Sequence, residues 1–238
     1  MTTRNAIPPL YGLVLAGGRS RRMGRDKAAL EYQDGVPHAR RTADLLDAVC
    51  ERVFVSCRAD QVDGEGRMEG GGGDGAGKGE PGPQGSVLAS LPARVGRIPD
   101  AFDLGGPLNG ILSALAAHPG AAFLVAACDL PFLSEESLKA LVAGRDASKP
   151  MTVFLNPVRD NFPEPLCAIY EPSYTDAARA VMTRGATCPT KIAQALDVHP
   201  LVLAGHETAR FLDNANTPED YERARRGEAA TIETRKTP

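Results

Sequence analysis

Residues 13–27 constrain this chain more than any other stretch. A short apolar run, Leu13-Val-Leu-Ala16, reads as a buried strand and stops at Gly17 and Gly18. Arg19, Arg21, Arg22, Arg25 and Lys27 follow within nine residues. Glycines at a strand end let the backbone bend tightly, so that bare N–H groups can face an anion, and a cation cluster just after them suits a polyphosphate. The stretch therefore reads as a triphosphate loop. On the glycines and arginines alone, an ordinary strand-to-helix turn with a solvated basic face fits at least as well. Two familiar phosphate patterns are absent here, the G-x-G-x-x-G turn and the G-x4-G-K-[ST] loop.

The rest of the chain supplies the setting. After the loop, Ala39, Ala43, Leu45, Leu46 and Val49 have the spacing of an amphipathic helix over residues 38–50, and residues 52–57 read as a second strand. Residues 64–86 are rich in glycine and cannot bury apolar surface, which predicts a flexible surface insert. Its Gly72-Gly-Asp-Gly-Ala-Gly-Lys78 resembles a phosphate loop by low complexity only, because Gly79 stands where Ser or Thr is needed. A third strand is expected over 93–98, a helix from Pro107, and a buried strand over 121–127. Ser134 caps a further helix. Strands over 150–158, 165–170 and 198–203 alternate with helices over 172–184 and 190–196, and a last helix starts near Thr217 with Pro218 in its first turn. Strands alternating with helices imply an α/β fold, with a mostly parallel central sheet and helices on both faces. Residues 8–226 form one domain in this reading, and 227–238 a polar tail.

Composition excludes some functions. The net charge is −3 and the basic cluster is local, with no aromatic residues interleaved, so nucleic-acid binding is not expected. No apolar run approaches the roughly 20 residues of a membrane span, and residues 1–9 lack the apolar core of a signal peptide. Five cysteines, odd in number and without a C-x-x-C pair, point to buried, reduced thiols in a cytoplasmic protein, not to zinc. The four histidines lie outside every motif and read as surface or structural residues.

In an open parallel sheet, ligands sit at the carboxyl ends of strands. Asp100 and Asp129 both occupy such ends. Asp129 directly follows a long apolar run, which would hold its carboxylate over the crevice. Mg²⁺ on a triphosphate needs one or two protein carboxylates and keeps several waters, so one aspartate suffices. Taken alone, Asp129 fits a turn residue before Pro131 equally well. Asp100 could likewise end a turn, and Asn214-Ala-Asn-Thr-Pro-Glu219 could be a helix start capped by Thr217.

Leu15-Ala-Gly-Gly-Arg-Ser-Arg-Arg-Met-Gly-Arg-Asp-Lys27 fills every fixed position of L-A-G-G-x-S-x-R-M-G-x-D-K. It thereby resembles the signature loop of the molybdenum cofactor guanylyltransferases, within the nucleotidyltransferase superfamily. The resemblance continues in order over residues 10–225. Asp100 precedes Gly106-Pro-Leu-Asn-Gly110. Cys128-Asp-Leu-Pro131, Pro165-Leu-Cys-Ala-Ile-Tyr170 and Asn214-Ala-Asn-Thr-Pro-Glu219 follow. It implies a single-domain, Rossmann-like nucleotidyltransferase fold. It also implies transfer of GMP from GTP to the phosphate of the molybdopterin cofactor, with release of pyrophosphate. Leu15, Ala16, Gly17 and Gly18 would hold the nucleotide through the backbone, Lys27 would contact phosphate, Asp100 the nucleoside, and Asp129 both nucleotide and Mg²⁺. Arg22, Lys27 and Asp129 would supply the charge neutralisation that transfer needs. Asn161, Pro165, Asn214 and Asn216 would face the pterin, which other cofactor-synthesis proteins would hand over. The chain departs from the pattern at Ser56, where the family often has Asn for a nucleoside contact, and in the 64–86 insert. Two other readings are a cytidylyl- or other nucleotidyltransferase with a different phosphorylated acceptor, and a nucleotide-binding module that performs no transfer.

Overall fold

Strand β1 (Leu10–Leu15) is buried along nearly its whole length, and such a strand has to lie inside a sheet covered on both faces. The computed structural model describes residues 6–16, 27–32, 35–58, 88–203 and 210–228. In it β1 lies between β2 (Arg52–Cys57) and β4 (Ala122–Ala127), parallel to both, and β3 (Gly96–Pro99) pairs parallel beyond β2. On the far side of β4 the long β6 (Phe162–Tyr170) runs antiparallel. It is followed by β5 (Met151–Asn156), antiparallel to β6, and by β7 (His199–Val202), parallel to β5. The sheet order is β3-β2-β1-β4-β6-β5-β7, so β6 alone runs against the others.

Helices cover both faces. On one side α1 (His38–Asp47) and α3 (Glu135–Ala143) pack over Val14, Leu124, Ala126 and Ile169. On the other, α2 (Pro107–Ala117), α4 (Tyr174–Met182) and α5 (Pro189–Ala195) pack over Leu13, Phe123, Val125 and Met151. Residues of β4 alternate between the two cores, as a strand's two-residue period requires. Phe123, with no exposed surface, contributes about 3 kcal/mol of transfer free energy to its side. Helix α6 (Pro218–Arg225) starts from a reciprocal cap in which Thr217 Oγ1 accepts from the Asp220 amide. Helix α3 starts from a similar box between Ser134 and Ser137.

Most expected elements lie where periodicity predicts them. The third strand is shifted to Gly96–Pro99, and β6 begins three residues before Pro165. The cysteines are free, but only Cys57, Cys128 and Cys167 are buried. Cys188 is exposed, because it stands in the turn before α5 with no sheet over it. No helix among the described residues is long and apolar enough to cross a membrane. All of the 64–86 insert, and the 227–238 tail beyond residue 228, lie outside the described residues.

Candidate active site

Six strands deliver their carboxyl ends to one edge of the sheet, and four of them, β3, β2, β1 and β4, stand side by side. Register sets Leu15 beside Ser56 on one side and Ala127 on the other, and Cys57 beside Pro99. Ala16, Asp100 and Asp129 each emerge just beyond those ends. Asp100 and Asp129 stand three strand spacings apart, about 14 Å. The crevice between them crosses β1, from which the basic loop departs.

Asp129 is half-buried, and its Oδ1 lies out of contact with solvent. Its backbone is tied down at both ends of the turn. The Cys128 amide donates to the Leu15 carbonyl at 3.4 Å, and the Ala215 amide donates to the Asp129 carbonyl at 2.8 Å. That second bond draws the 214–216 segment against the end of β4. Asn214 is exposed there and Asn216 half-buried, flanking the buried Ala215. The same segment also begins a helix, since the Asn216 and Thr217 amides both donate to Asp220 Oδ2 at 3.0 Å. The motif is therefore a helix start capped by Thr217 that also lies against the end of β4.

Asp100 directly follows β3, with its amide donating to the Cys57 carbonyl at 2.8 Å. Burial pushes its carboxyl above the ordinary value, and Arg58 pulls it back down. The loop after it is held by two residues that the sequence alone did not single out. Asn109 Nδ2 donates to the carbonyls of Phe102 at 2.6 Å and Leu104 at 3.1 Å, and its Oδ1 accepts from the Phe102 amide. Ser113 Oγ accepts from the Ala101 amide at 2.9 Å and donates to Asn109 Oδ1. Both side chains hide on α2 at helical spacing, where a polar residue looks like an ordinary surface position. Gly106, at φ 76°, turns the chain from this loop into the Pro107 start of α2.

The other expected site residues fall into three groups. Leu15 and Ala16 stand at the mouth, Leu15 buried and Ala16 half-buried. Ser56 is buried beneath α2, packed so closely on Gly110 that a Cβ there would lie 2.3 Å from its Oγ. Lys27 opens a short 3-10 turn, Lys27–Ala29, whereas Gly17, Gly18 and Arg22 lie outside the described residues.

Across β4 from the loop, Pro165 is buried in β6 and Asn161 is exposed on the β5–β6 turn, at φ 56°. Between them lies Glu164, which sequence reasoning missed. It is 5% exposed, with Arg159 Nη1 at 3.4 Å and Asn156 Nδ2 at 3.5 Å from its Oε2. Burial raises its pKa, Arg159 lowers it, and the charge on Asp129 raises it again. Nothing in Phe-Pro-Glu-Pro-Leu marks that glutamate as functional, and only the pairing of β6 with β4 brings it to the crevice.

At the carboxyl edge of the sheet, a strand-end aspartate suits a divalent cation on a triphosphate, and a second aspartate held by a loop clamp suits the hydrogen-bond donors of a nucleoside. Comparison with known proteins agrees. The description "MobA-like NTP transferase domain" matches residues 12–199. A molybdenum cofactor biosynthesis bifunctional protein of Synechocystis is 37% identical over 90% of this chain, which spans 53% of that longer relative. A probable molybdenum cofactor guanylyltransferase of Natronomonas pharaonis is 31% identical, over 90% of this chain and 96% of its own length. In fold, the chain resembles molybdopterin-guanine dinucleotide biosynthesis protein A of Archaeoglobus fulgidus, at a TM-score of 0.65 and 23% identity, covering 91% of this chain and 97% of the other. These similarities make the chain a nucleotidyltransferase, and it belongs to the MobA-like NTP transferase family.

Proposed function

We propose that this chain transfers the GMP unit of GTP to the terminal phosphate of the molybdopterin cofactor, giving the guanine dinucleotide form and pyrophosphate. The observation that carries the reading is the convergence at the end of β4. There Asp129 stands beside the exit of β1, and the Asn-Ala-Asn segment is hydrogen-bonded to its carbonyl. The names of relatives that align along nearly their full length support the same activity.

The chemistry fits such a site. A phosphate oxygen of the acceptor attacks the α-phosphorus of GTP, an O–P bond forms, and the bond to the β-phosphate oxygen breaks as pyrophosphate leaves. The attacking oxygen is already anionic, so no general base is required, and catalysis reduces to alignment and charge neutralisation. Lys27, Arg22 and the amides of Gly17 and Gly18 take the triphosphate side in this scheme, Leu15 and Ala16 line the mouth, and Asp100 faces the nucleoside. Ser56, buried beneath Gly110, acts through packing at the nucleoside end. Asn161, Pro165, Asn214 and Asn216 lie toward the pterin.

The donors at the end of β4 suit Mg²⁺. They are oxygen atoms, with one carboxylate fixed at the strand end, and a triphosphate-bound Mg²⁺ asks for little more from protein. Asp129 would hold the ion, which when bound neutralises part of the triphosphate charge. Residues 8–226 act as the transferase domain, with 64–86 as an insert and 227–238 as a tail, in the cytoplasm. The pterin is received from other cofactor-synthesis proteins.

The direct experiment is mass-spectrometric identification of the product after incubation with GTP, Mg²⁺ and the metal-loaded pterin cofactor. A guanine dinucleotide mass is expected, and a product formed only with CTP would overturn the choice of base. Asp129→Ala is expected to lower turnover by at least about 100-fold with the unfolding midpoint little changed, since it removes transition-state charge neutralisation. Near-normal turnover in that variant would refute the role given to Asp129.

A further inference from the structure

We infer that Arg159, paired with Glu164 on the β5–β6 turn, binds the phosphate of the acceptor. The inference rests on the proposed transfer reaction and adds to it the residue that receives the incoming anion.

Register brings these groups to the crevice. Strands β4 and β6 pair antiparallel with Ala126 opposite Cys167. The ladder ends there, and beyond it Asp129 and Glu164 leave neighbouring strands at the same edge, close enough that the charge on Asp129 raises the pKa of Glu164. The β5–β6 turn that carries Arg159 therefore lies across β4 from β1, on the opposite side of Asp129 from the triphosphate loop.

The turn is unusually constrained. Asn156 Oδ1 accepts from the Val158 amide at 3.0 Å, and the Asn161 amide donates to the Asn156 carbonyl at 2.9 Å. Asp160 and Asn161 are consecutive non-glycine residues in the left-handed region, at φ 51° and 56°. Asp and Asn are the side chains that enter this region most readily, and two in a row fix the sharp reversal into β6. Glu164 adds an expense of its own. A carboxylate this buried costs several kcal/mol unless paired, and its partners stand at the long distances of 3.4 and 3.5 Å. An apolar residue would pack β6 at lower cost. What the glutamate supplies is an anchor for the guanidinium of Arg159, whose side chain remains 52% exposed. Arginine has five N–H donors, and Glu164 is its one carboxylate partner among the described residues. Arg210 is committed elsewhere, stacked on Phe132 at 4.4 Å and donating to the Gly227 carbonyl.

The reaction needs a cation in this position. The acceptor phosphate must come within about 3–3.5 Å of the α-phosphorus, against the repulsion of a triphosphate. Loop cations on the β1 side serve the nucleotide. A guanidinium on the β5–β6 side offers the paired donors that match a phosphate.

Equilibrium binding of molybdopterin cofactor and of its dephosphorylated form, to the full chain without GTP, tests this apart from transfer. Arg159→Ala is expected to weaken binding of the phosphorylated form by about 10-fold or more, the value of a charge-assisted contact. The dephosphorylated form should bind both proteins alike, and Arg159→Lys should recover part of the loss. Glu164→Gln should give a smaller loss without lowering the unfolding midpoint. In turnover, KM for the acceptor should rise while KM for GTP stays constant. Equal affinity of Arg159→Ala and the parent for the phosphorylated form, or equal losses for both forms, would overturn the inference. If the parent binds the phosphorylated cofactor through Arg159 yet makes no dinucleotide, the inference stands and the transfer reaction is what fails.

Discussion

Glu164 has its carboxylate where water hardly reaches, and its ionisation is therefore tied to folding. Burial raises its pKa from the ordinary 4.5, against the opposing pull of Arg159 and Asn156. The folded chain then holds this proton more tightly than the unfolded chain does. Its contribution to stability is greatest below 4.5 and declines as pH rises through the folded value. Glu164→Gln keeps the shape and removes the charge. It should unfold at a higher temperature than the parent at about pH 8, with the two midpoints converging near about pH 4. A gap that widens on acidification would mean that the carboxylate is stabilised as an anion instead. At this scale the sequence was uneven as a guide. Asp129 is legible because an apolar run delivers it, whereas Glu164 sits between two prolines with no local cue. The clamp made by Asn109 and Ser113 is equally silent, because the carbonyls and amides it satisfies belong to a loop whose path no periodicity predicts.

Helix α2 shows how an element positions a site. It crosses the ends of β1 and β2 at Gly110, where an added Cβ would stand 2.3 Å from Ser56 Oγ, 2.9 Å from Ser56 Cβ and 3.1 Å from Leu15 Cδ2. Close approach is what brings the Pro107 end of the helix, and the loop carrying Asp100, over the crevice. Gly110→Ala gains about 1 kcal/mol of helix propensity but overpacks this contact at a cost of about 1–3 kcal/mol. A net loss of about 1 kcal/mol in chemical denaturation is expected, with a weaker KM for the nucleotide as Asp100 shifts. In a Ser56→Ala background the penalty should shrink, because one of the two closest atoms is gone. An unchanged penalty there would place the clash elsewhere. The helix itself is legible from Pro107 and its apolar spacing, but the demand for glycine at position 110 arises only from the strand beneath it.

At the scale of the whole molecule, one buried ion pair joins distant parts of the chain. Arg145, just after α3, donates to both oxygens of Glu171 at 2.6 and 2.9 Å, and to the Pro8 carbonyl at 3.0 Å. The Glu171 side chain is 1% exposed and that of Arg145 11%. This pair lies at the edge of the sheet away from the crevice, where β1 begins and β6 ends. Glu171→Ala leaves the guanidinium buried without its carboxylate and should cost about 3–5 kcal/mol, read from urea unfolding. Affinity for nucleotide should hold wherever the variant remains folded. A loss below about 1 kcal/mol would show that water or another acceptor replaces the carboxylate.

Sequence by itself determined the central strands, the helices on either side of them, and the strand ends that gather at one edge of the sheet. These follow from apolar runs, periods and caps, all of which act between residues close along the chain. Only the tertiary structure decided that β6 runs against its neighbours and so brings Glu164 to the edge where Asp129 emerges. It alone decided that the 214–216 segment returns to the Asp129 carbonyl, and that Gly110 must yield to Ser56. Those outcomes depend on strand direction, register and close approach between segments far apart in the chain. Such contacts are fixed by how two faces fit, and neither segment carries that information alone.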